Sequence, residues 1–389
     1  MQESLHIMER NAAFLHGKGD FAMSRLKTVA CLLAMAALAP LLLGLRSALP
    51  TDRQALIEEK YGGWSGVLRL WIFEGWTPGS GGFASWLNGC VAAFEKAHPG
   101  VYAQPEYVDA DTLRGWNDGT LPPPNLLLFP PGLLDAPRGL TPLETPPSLR
   151  PGLRRKGDWA GVCYALPVAM GGCLTLRADI DGPCVAPPDG DFRLTAAALA
   201  CLPDEEEDDG EGVSLPGLDL GLPAFASAQP EWTLREDAWK AFANGEAAAL
   251  LATPREVRRL EALAEQGKGP NWRVDRVSRF TDQLLFAATP AQGGEQQALA
   301  EAFVQWLLGD DSQGGLHRAG AFSVTEGPSG YAAGDSLTTV EAFLRRDGLL
   351  APPAFGTQWR EAVSDIVREY WDGDGDKGDL MENLREALG

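Results

Sequence analysis

Histidine is scarce in this 389-residue chain, which contains only four. They are His6, His16, His98 and His317. None of them lies in a nucleophile-elbow motif or at a spacing typical of metal ligands. No C-x-x-C pair occurs, so neither a zinc site nor a thioredoxin-like motif is supported. A hydrolase of sugars would need two carboxylates at one cleft, and no such pairing can be read from the chain. We therefore expect no enzyme, no metal and no cofactor.

Basic residues are also in deficit, with 33 Lys and Arg against 53 Asp and Glu, a net charge of −20 and a pI near 4.6. Nucleic acid is excluded as a partner, because its phosphates require clustered basic side chains. Part of the negative charge forms one run, 204–209, between Pro203 and Gly210. Such a run repels itself and predicts a solvated loop, with an interaction or cation site as the alternative.

The six cysteines are spread along the chain: Cys31, Cys90, Cys163, Cys173, Cys184 and Cys201. Cys31 lies in an apolar segment, and the other five are an odd number, so at least one thiol stays free within a monomer. Cys163 and Cys173 would pair only if their geometry allowed it. We favour free, buried thiols.

Charge is also absent from an apolar run near the N-terminus, residues 28–45, which has 18 residues and follows Arg25 and Lys27. Such a run is typical of a signal peptide or a short membrane anchor. The alternative is a buried core helix. Small residues are poorly placed for cleavage beyond it, so we favour a retained anchor in the N-terminal region 1–50. The positive flank predicts that the body lies on the outer face of the cell membrane, or is secreted if cleavage occurs.

The body alternates strand and helix patterns. Val67 to Phe73 is a continuous apolar run that suits a buried parallel strand, and Val101 to Val108 alternates like a strand. Between them, apolar residues from Phe83 to Phe94 recur at helical spacing. Farther along we predict two helices within 238–263, the second starting at Thr253-Pro254, a strand at 282–288, and helices at 295–308, 358–371 and 380–388. Length and a 45% hydrophobic content are enough for two cores.

Several short segments resemble the extracellular solute-binding proteins of ABC importers, in particular the maltodextrin-binding, family 1 type. Their order and spacing cover most of residues 64–370: 93–101, 121–129, 139–143, 164–170, 242–248, 300–308 and 320–324. The chain departs from that family at Asn125, where Asp is usual, and at Phe322-Ser323, where Leu-Pro is usual. The stretch between Ile180 and Phe242 is also short for a full second lobe.

The resemblance implies an α/β, two-lobed periplasmic-binding-protein-like (type II) fold with a central cleft. Lobe one would comprise 64–165 plus 285–325, and lobe two 166–284 plus 326–389.

Twelve tryptophans are present, and flat aromatic rings stack on the C–H faces of sugars. By the resemblance, Trp359 supplies a stacking aromatic, Phe129 ends a contact strand, and Gly171 replaces an acidic contact. The full set of ligand-binding residues implied is Glu74, Trp76, Phe129, Met170, Gly171, Trp232 and Trp359. Core or surface packing is the alternative role for each tryptophan.

Two further motifs are weaker. Residues 79–84 match G-x-G-x-x-A, a dinucleotide fingerprint, but Pro78 precedes them and export disfavours the cofactor. Asp372, Asp374 and Asp376 resemble the opening of a calcium loop, but Lys377 replaces its glycine, which favours a surface turn.

The expected function is that of a membrane-associated, extracytoplasmic solute-binding protein. It would deliver a small polar ligand, with carbohydrate as the expected class, to the transmembrane subunits of an ABC importer. The alternative is a non-transporting structural or regulatory protein that keeps the scaffold. Ligand-dependent thermal stabilisation separates the two.

Overall fold

The computed structural model describes residues 65–76, 82–116, 123–186, 231–232, 235–278, 280–345, 349–371 and 377–388. Residues Ser65–Gly389 form one compact unit, and a second unit, Met1–Trp64, lies outside the described residues. The predictions for the apolar segment 28–45, the acidic run 204–209 and the calcium-like run 372–376 also fall outside them, as do residues 79–81 of the G-x-G-x-x-A match. Within the described ranges, no helix has the length and apolar character needed to cross a membrane.

The elements follow one another along the chain as strands and helices. In order they are β1 Gly66–Phe73, α1 Phe83–Ala97, β2 Val101–Val108, α2 Ala110–Arg114, β3 Leu126–Phe129, β4 Asp158–Trp159, β5 Val162–Cys163, β6 Leu166–Met170, β7 Leu174–Ala178, β8 Cys184–Ala186, β9 Glu231–Trp232, α3 Arg235–Ala243, β10 Ala249–Ala252, α4 Pro254–Glu265, β11 Trp272–Val277, β12 Leu284–Ala288, α5 Gly294–Leu307, α6 Asp310–Gly314, α7 Ser336–Leu344, α8 Gln358–Trp371 and α9 Lys377–Leu388. Short 3-10 turns occur at Pro151–Leu153 and Gly315–Ala319.

The first sheet has the strand order β2-β1-β3-β12-β6. Strand β1 pairs in parallel with β2 and β3, whereas β12 is antiparallel to β3 and β6. All residues of β3, β6 and β12 are buried, as expected for strands covered on both faces. Asn125, which stands where the resemblance expects Asp, is buried and accepts a hydrogen bond from the Arg69 N–H at 2.7 Å. Its amide therefore joins β3 to β1.

Helix α1 confirms the predicted amphipathic segment. Its six apolar residues at three- and four-residue spacing are all buried. The Phe94 ring lies 4.0 Å from the His98 ring and 4.9 Å from Phe303 of α5, centroid to centroid. This face of α1 therefore packs against α5.

The second sheet has the order β11-β7-β10-β8-β9, with β7 antiparallel to β10 and β11. The two helices predicted within 238–263 are present as α3 and α4, but β10 lies between them. Its sequence, Ala-Leu-Leu-Ala, has helical composition, and pairing with β7 overrides that propensity because all four residues are buried.

The predicted start of α4 is confirmed: the Glu256 carboxylate accepts hydrogen bonds from the Thr253 N–H at 2.9 Å and the Thr253 hydroxyl at 2.6 Å.

The two sheets are joined by segments that run side by side. The Gly171 N–H donates to the Gln283 carbonyl at 2.7 Å, and the Ser278 N–H donates to the Cys173 carbonyl at 2.9 Å. The segment around Leu350 lies beside these two, because the Thr281 N–H donates to the Leu350 carbonyl. Strand β6, which we expected to open lobe two, pairs with β12 in the first sheet. The division into lobes stays a prediction.

Of the cysteines that the structure describes, Cys90, Cys163 and Cys184 carry free thiols, as we expected. Cys90 and Cys173 are buried, and Cys163 and Cys184 are half-buried. Burial raises the pKa of the Cys184 thiol to about 12, so this thiol stays protonated and unreactive at neutral pH.

Candidate functional site

The carboxyl ends of three strands meet at one edge of the first sheet. Strand β6 runs parallel to β1 and β3, since both β3 and β6 are antiparallel to β12. These three strands continue into residues 74–76, 130–134 and 171–173, and β12 starts at the same edge after Gln283. Ligands of open α/β sheets bind beyond this end of the strands. We refer to residues 74–76, 130–134 and 171–173, together with Gln283, as the carboxyl edge.

Trp76 lies at this edge, three residues after β1. Its side chain is 8% exposed, and its ring meets Phe83, the first residue of α1, edge to face at 4.8 Å. The neighbouring Trp86 donates its indole N–H to the Ser312 carbonyl at 2.7 Å. The Trp76 indole Nε1, in contrast, is buried and has no hydrogen-bond partner among the described residues.

Trp359 reaches the same edge from the first turn of α8. A Cβ placed on Gly132, just beyond β3, would lie 2.7 Å from the Trp359 Nε1 atom, so the indole rests directly on the glycine backbone. The Arg360 guanidinium lies 5.1 Å from the centre of the Trp359 ring. The Trp359 side chain is 5% exposed, and within the part of the chain that the structure describes its Nε1 also has no hydrogen-bond partner.

Gln283 supplies the third polar atom of this kind, and sequence reasoning missed it. Its amide nitrogen donates to the Cys173 sulfur at 3.7 Å, while its Oε1 is buried and has no partner in the described ranges. The only available signal was its place in the predicted strand 282–288. We call Trp76 Nε1, Trp359 Nε1 and Gln283 Oε1 the unpaired edge atoms. They comprise two hydrogen-bond donors and one acceptor.

Such atoms are costly when buried, because each loses its hydrogen bonds to water, at about 1–3 kcal/mol per group. A hydroxyl group matches both kinds, since it donates one hydrogen bond and accepts others. Because all three atoms belong to uncharged groups, they suit a neutral, hydroxyl-bearing ligand.

The other predicted site residues are placed as follows. Phe129 is fully buried, with ring centroids 6.2 Å from Phe286 and 6.0 Å from Phe355. Met170 is fully buried and exchanges main-chain hydrogen bonds with Phe322. Glu74 is exposed at the carboxyl edge, and Gly171 follows β6 at the same edge. Trp232 belongs to β9 of the second sheet, and its side chain is outside the described part. Contact of all these residues with a ligand stays a prediction.

The second sheet carries a buried acid away from this edge. Asp275 on β11 is 1% exposed, neither carboxylate oxygen has a hydrogen-bond partner among the residues that the structure describes, and Arg177 Nη1 lies 3.8 Å from Oδ2. Burial raises the pKa of Asp275, although Arg177, Arg273 and Arg276 oppose the shift.

Comparison with known proteins gives structural matches alone. No protein-family model matches the chain. No curated protein matches it either. Among solved structures it is similar to the GacH receptor of Streptomyces glaucescens, with a TM-score of 0.54, 12% identity, and coverage of 84% of this chain and 99% of that one.

Two further solved structures agree with this match. The cyclic α-maltosyl-1,6-maltose binding protein of Arthrobacter globiformis has a TM-score of 0.53 at 12% identity, covering 84% of this chain and 98% of that one. The galacto-N-biose/lacto-N-biose I-binding protein of Bifidobacterium longum has a TM-score of 0.53 at 12% identity, covering 83% and 95%.

The chain therefore has the two-lobed, type II periplasmic-binding-protein fold, which confirms the expected fold class. At these identities the likeness shows the fold, and the ligand has to be argued from the site.

Proposed function

We propose that this chain is a non-enzymatic, extracytoplasmic solute-binding protein that binds a carbohydrate at the carboxyl edge of its first sheet. The unpaired edge atoms carry the proposal, because two indole N–H donors and one amide carbonyl match the hydroxyl groups of a sugar. Trp76 and Trp359 are also residues of the type whose rings stack on the C–H groups of sugars. The GacH receptor has been solved in complex with acarbose, and the other two neighbours are binding proteins for cyclic α-maltosyl-1,6-maltose and for galacto-N-biose and lacto-N-biose I, which supports the same class.

The binding protein would pass its ligand to the transmembrane subunits of an ABC importer. Ligand contacts on both sides of the crossing segments 171–173 and 278–283 would favour a closed state that the importer recognises. Residues 28–45 would keep the protein at the outer face of the membrane. Deletion of residues 28–45 tests that part of the proposal, since the protein should then no longer be found in the membrane fraction.

A thermal-shift titration of the full chain in mild detergent tests ligand binding. The panel contains mono- and oligosaccharides, amino acids, polyamines and phosphate esters. We expect a melting temperature that rises with sugar concentration, as mass action requires. Rises with another class alone would contradict the carbohydrate assignment, and no rise from a folded sample would favour the non-transporting scaffold.

Gln283→Ala separates this site from others on the surface. Removing the only acceptor among the unpaired edge atoms should weaken sugar binding by about tenfold, the value of one hydrogen bond to a hydroxyl. Gln266→Ala is the matched control, since Gln266 is exposed just after α4 and its side chain contacts only the Ala262 carbonyl and the exposed Lys268 ammonium. Equal affinities of the two variants, measured by calorimetry, would place the ligand elsewhere.

A further inference from the structure

A short hairpin presents an exposed tryptophan that the predicted site does not include. Strands β4 and β5 pair Asp158 with Cys163 and Trp159 with Val162. The two turn residues, Ala160 and Gly161, both have positive φ, at 51° and 81°, which matches the tight turn that suits the twist of a hairpin. Trp159 is 42% exposed and Val162 41% exposed.

This hairpin is held firmly at its base. A Cβ placed on Gly157 would lie 1.6 Å from the Ala165 carbonyl oxygen, so the two strands approach as closely as only glycine permits. The Gly157 carbonyl accepts hydrogen bonds from the Tyr164 N–H at 3.0 Å and the Ala165 N–H at 3.4 Å. The Trp159 ring is therefore carried on a fixed backbone, which reduces the entropy lost when a ligand stacks on it.

Main-chain hydrogen bonds connect the hairpin to the carboxyl edge. The Ala354 N–H donates to the Lys156 carbonyl at 2.7 Å, and the Gly132 N–H donates to the Ala354 carbonyl at 3.0 Å. The Gly356 N–H then donates to the Leu134 carbonyl at 2.9 Å. Residues 354–356 thus join the hairpin to the segment that follows β3.

The same segment lies next to both tryptophans. The Trp159 ring meets Phe355 edge to face at 6.2 Å. Gly132, on which the Trp359 indole rests, would place a Cβ 3.1 Å from the Gly356 carbonyl oxygen. Phe355 in turn lies 6.0 Å from Phe129. The exposed indole of Trp159 is therefore continuous with the buried aromatic residues of the site.

We propose that Trp159 is an outer stacking platform and that the ligand is an oligosaccharide. One end of the sugar chain binds at the carboxyl edge, and a ring farther out stacks on the exposed face of Trp159. The proposal rests on the carbohydrate-binding function proposed above and adds ligand length to it.

Calorimetric titration of the full chain with sugars of increasing length tests this idea. The probes are glucose through maltohexaose and N-acetylglucosamine through chitohexaose. For the wild type we expect affinity to rise with length in at least one series. Trp159→Ala should weaken binding of the longer sugars by about tenfold and leave the shortest bound sugar within twofold. Trp159→Phe should restore most of the loss.

Tyr102→Ala is the matched control, because Tyr102 is an exposed aromatic residue, 60% accessible, at the start of β2 and hence at the opposite edge of the sheet. Its affinities should equal those of the wild type. An unchanged length dependence in Trp159→Ala, with sugars still bound, would overturn the outer platform and leave the proposed function intact. No binding of any sugar by the wild type would overturn both.

Discussion

Gly132 shows how one residue shapes the candidate site. Its φ is +69°, and a Cβ would meet the Trp359 indole nitrogen at 2.7 Å and the Gly356 carbonyl oxygen at 3.1 Å. Only glycine avoids both the strained backbone and the collision. The position of the Trp359 ring therefore depends on the absence of a side chain three residues beyond β3.

We expect Gly132→Ala to lower the free energy of unfolding by about 2 kcal/mol, since strain and a tight contact combine. Gly267→Ala is matched, because Gly267 also has a φ of +69° but open space around its Cβ position. It should lose about 1 kcal/mol, the cost of the backbone conformation alone. Urea denaturation followed by fluorescence compares them. Equal losses would show that the contact with Trp359 contributes nothing.

At the scale of single elements, α4 illustrates an N-terminus that the sequence predicts well. The Glu256 carboxylate bonds both the N–H and the hydroxyl of Thr253, and Pro254 occupies the first helical turn. These groups would otherwise be unpaired at a buried helix start, because Thr253 is fully buried and Glu256 nearly so.

Replacing Thr253 with Val removes only the hydroxyl. The free energy of unfolding should fall by about 1 kcal/mol, the usual value of such a cap. Thr338→Val provides the comparison, since the Thr338 hydroxyl donates to the Ala332 carbonyl in an exposed setting and its loss should change little. Chemical denaturation of both variants checks this, and an effect at Thr338 as large as that at Thr253 would contradict the capping argument.

At the scale of the whole molecule, stability depends on groups that folding removes from water. Asp275 is such a group: burial raises its pKa in the folded state above the unfolded value, so the folded state holds its proton more tightly. The Asp275 carboxyl group therefore stabilises the folded state at pH values below its unfolded pKa of about 4. This stabilisation is lost as the pH rises through the pKa of the folded state. The sign is opposite to that of an acid in a strong salt bridge.

Asp275→Asn should therefore raise the melting temperature at pH 7, and the difference from the wild type should disappear below about pH 4. Melting curves between pH 3 and pH 8 measure it. Asp179→Asn serves as the control, because Asp179 is an exposed acid paired with Arg273 at 2.8 Å. If Asp275→Asn is less stable than the wild type at neutral pH, the attraction between Asp275 and Arg177 outweighs the cost of burying the carboxylate.

The sequence by itself determined most local elements near the start of the body and at its end. Apolar spacing located α1, α5 and α8 within three residues, and the continuous run at β1 indicated a buried parallel strand. These signals are local, because helix and strand periodicity depend on neighbours a few residues apart. The two-lobed fold was also predicted, from short segments in a recognisable order.

Only the tertiary structure decided the identity of β10, whose alanine and leucine residues form a strand through pairing with β7. It also decided that Trp76, Gln283 and Trp359 share one edge of a sheet, and that Trp159 adjoins them through Phe355. These relations join segments far apart in the chain. Strand order and main-chain hydrogen bonds between distant segments set them, and no periodicity within a single segment records such contacts.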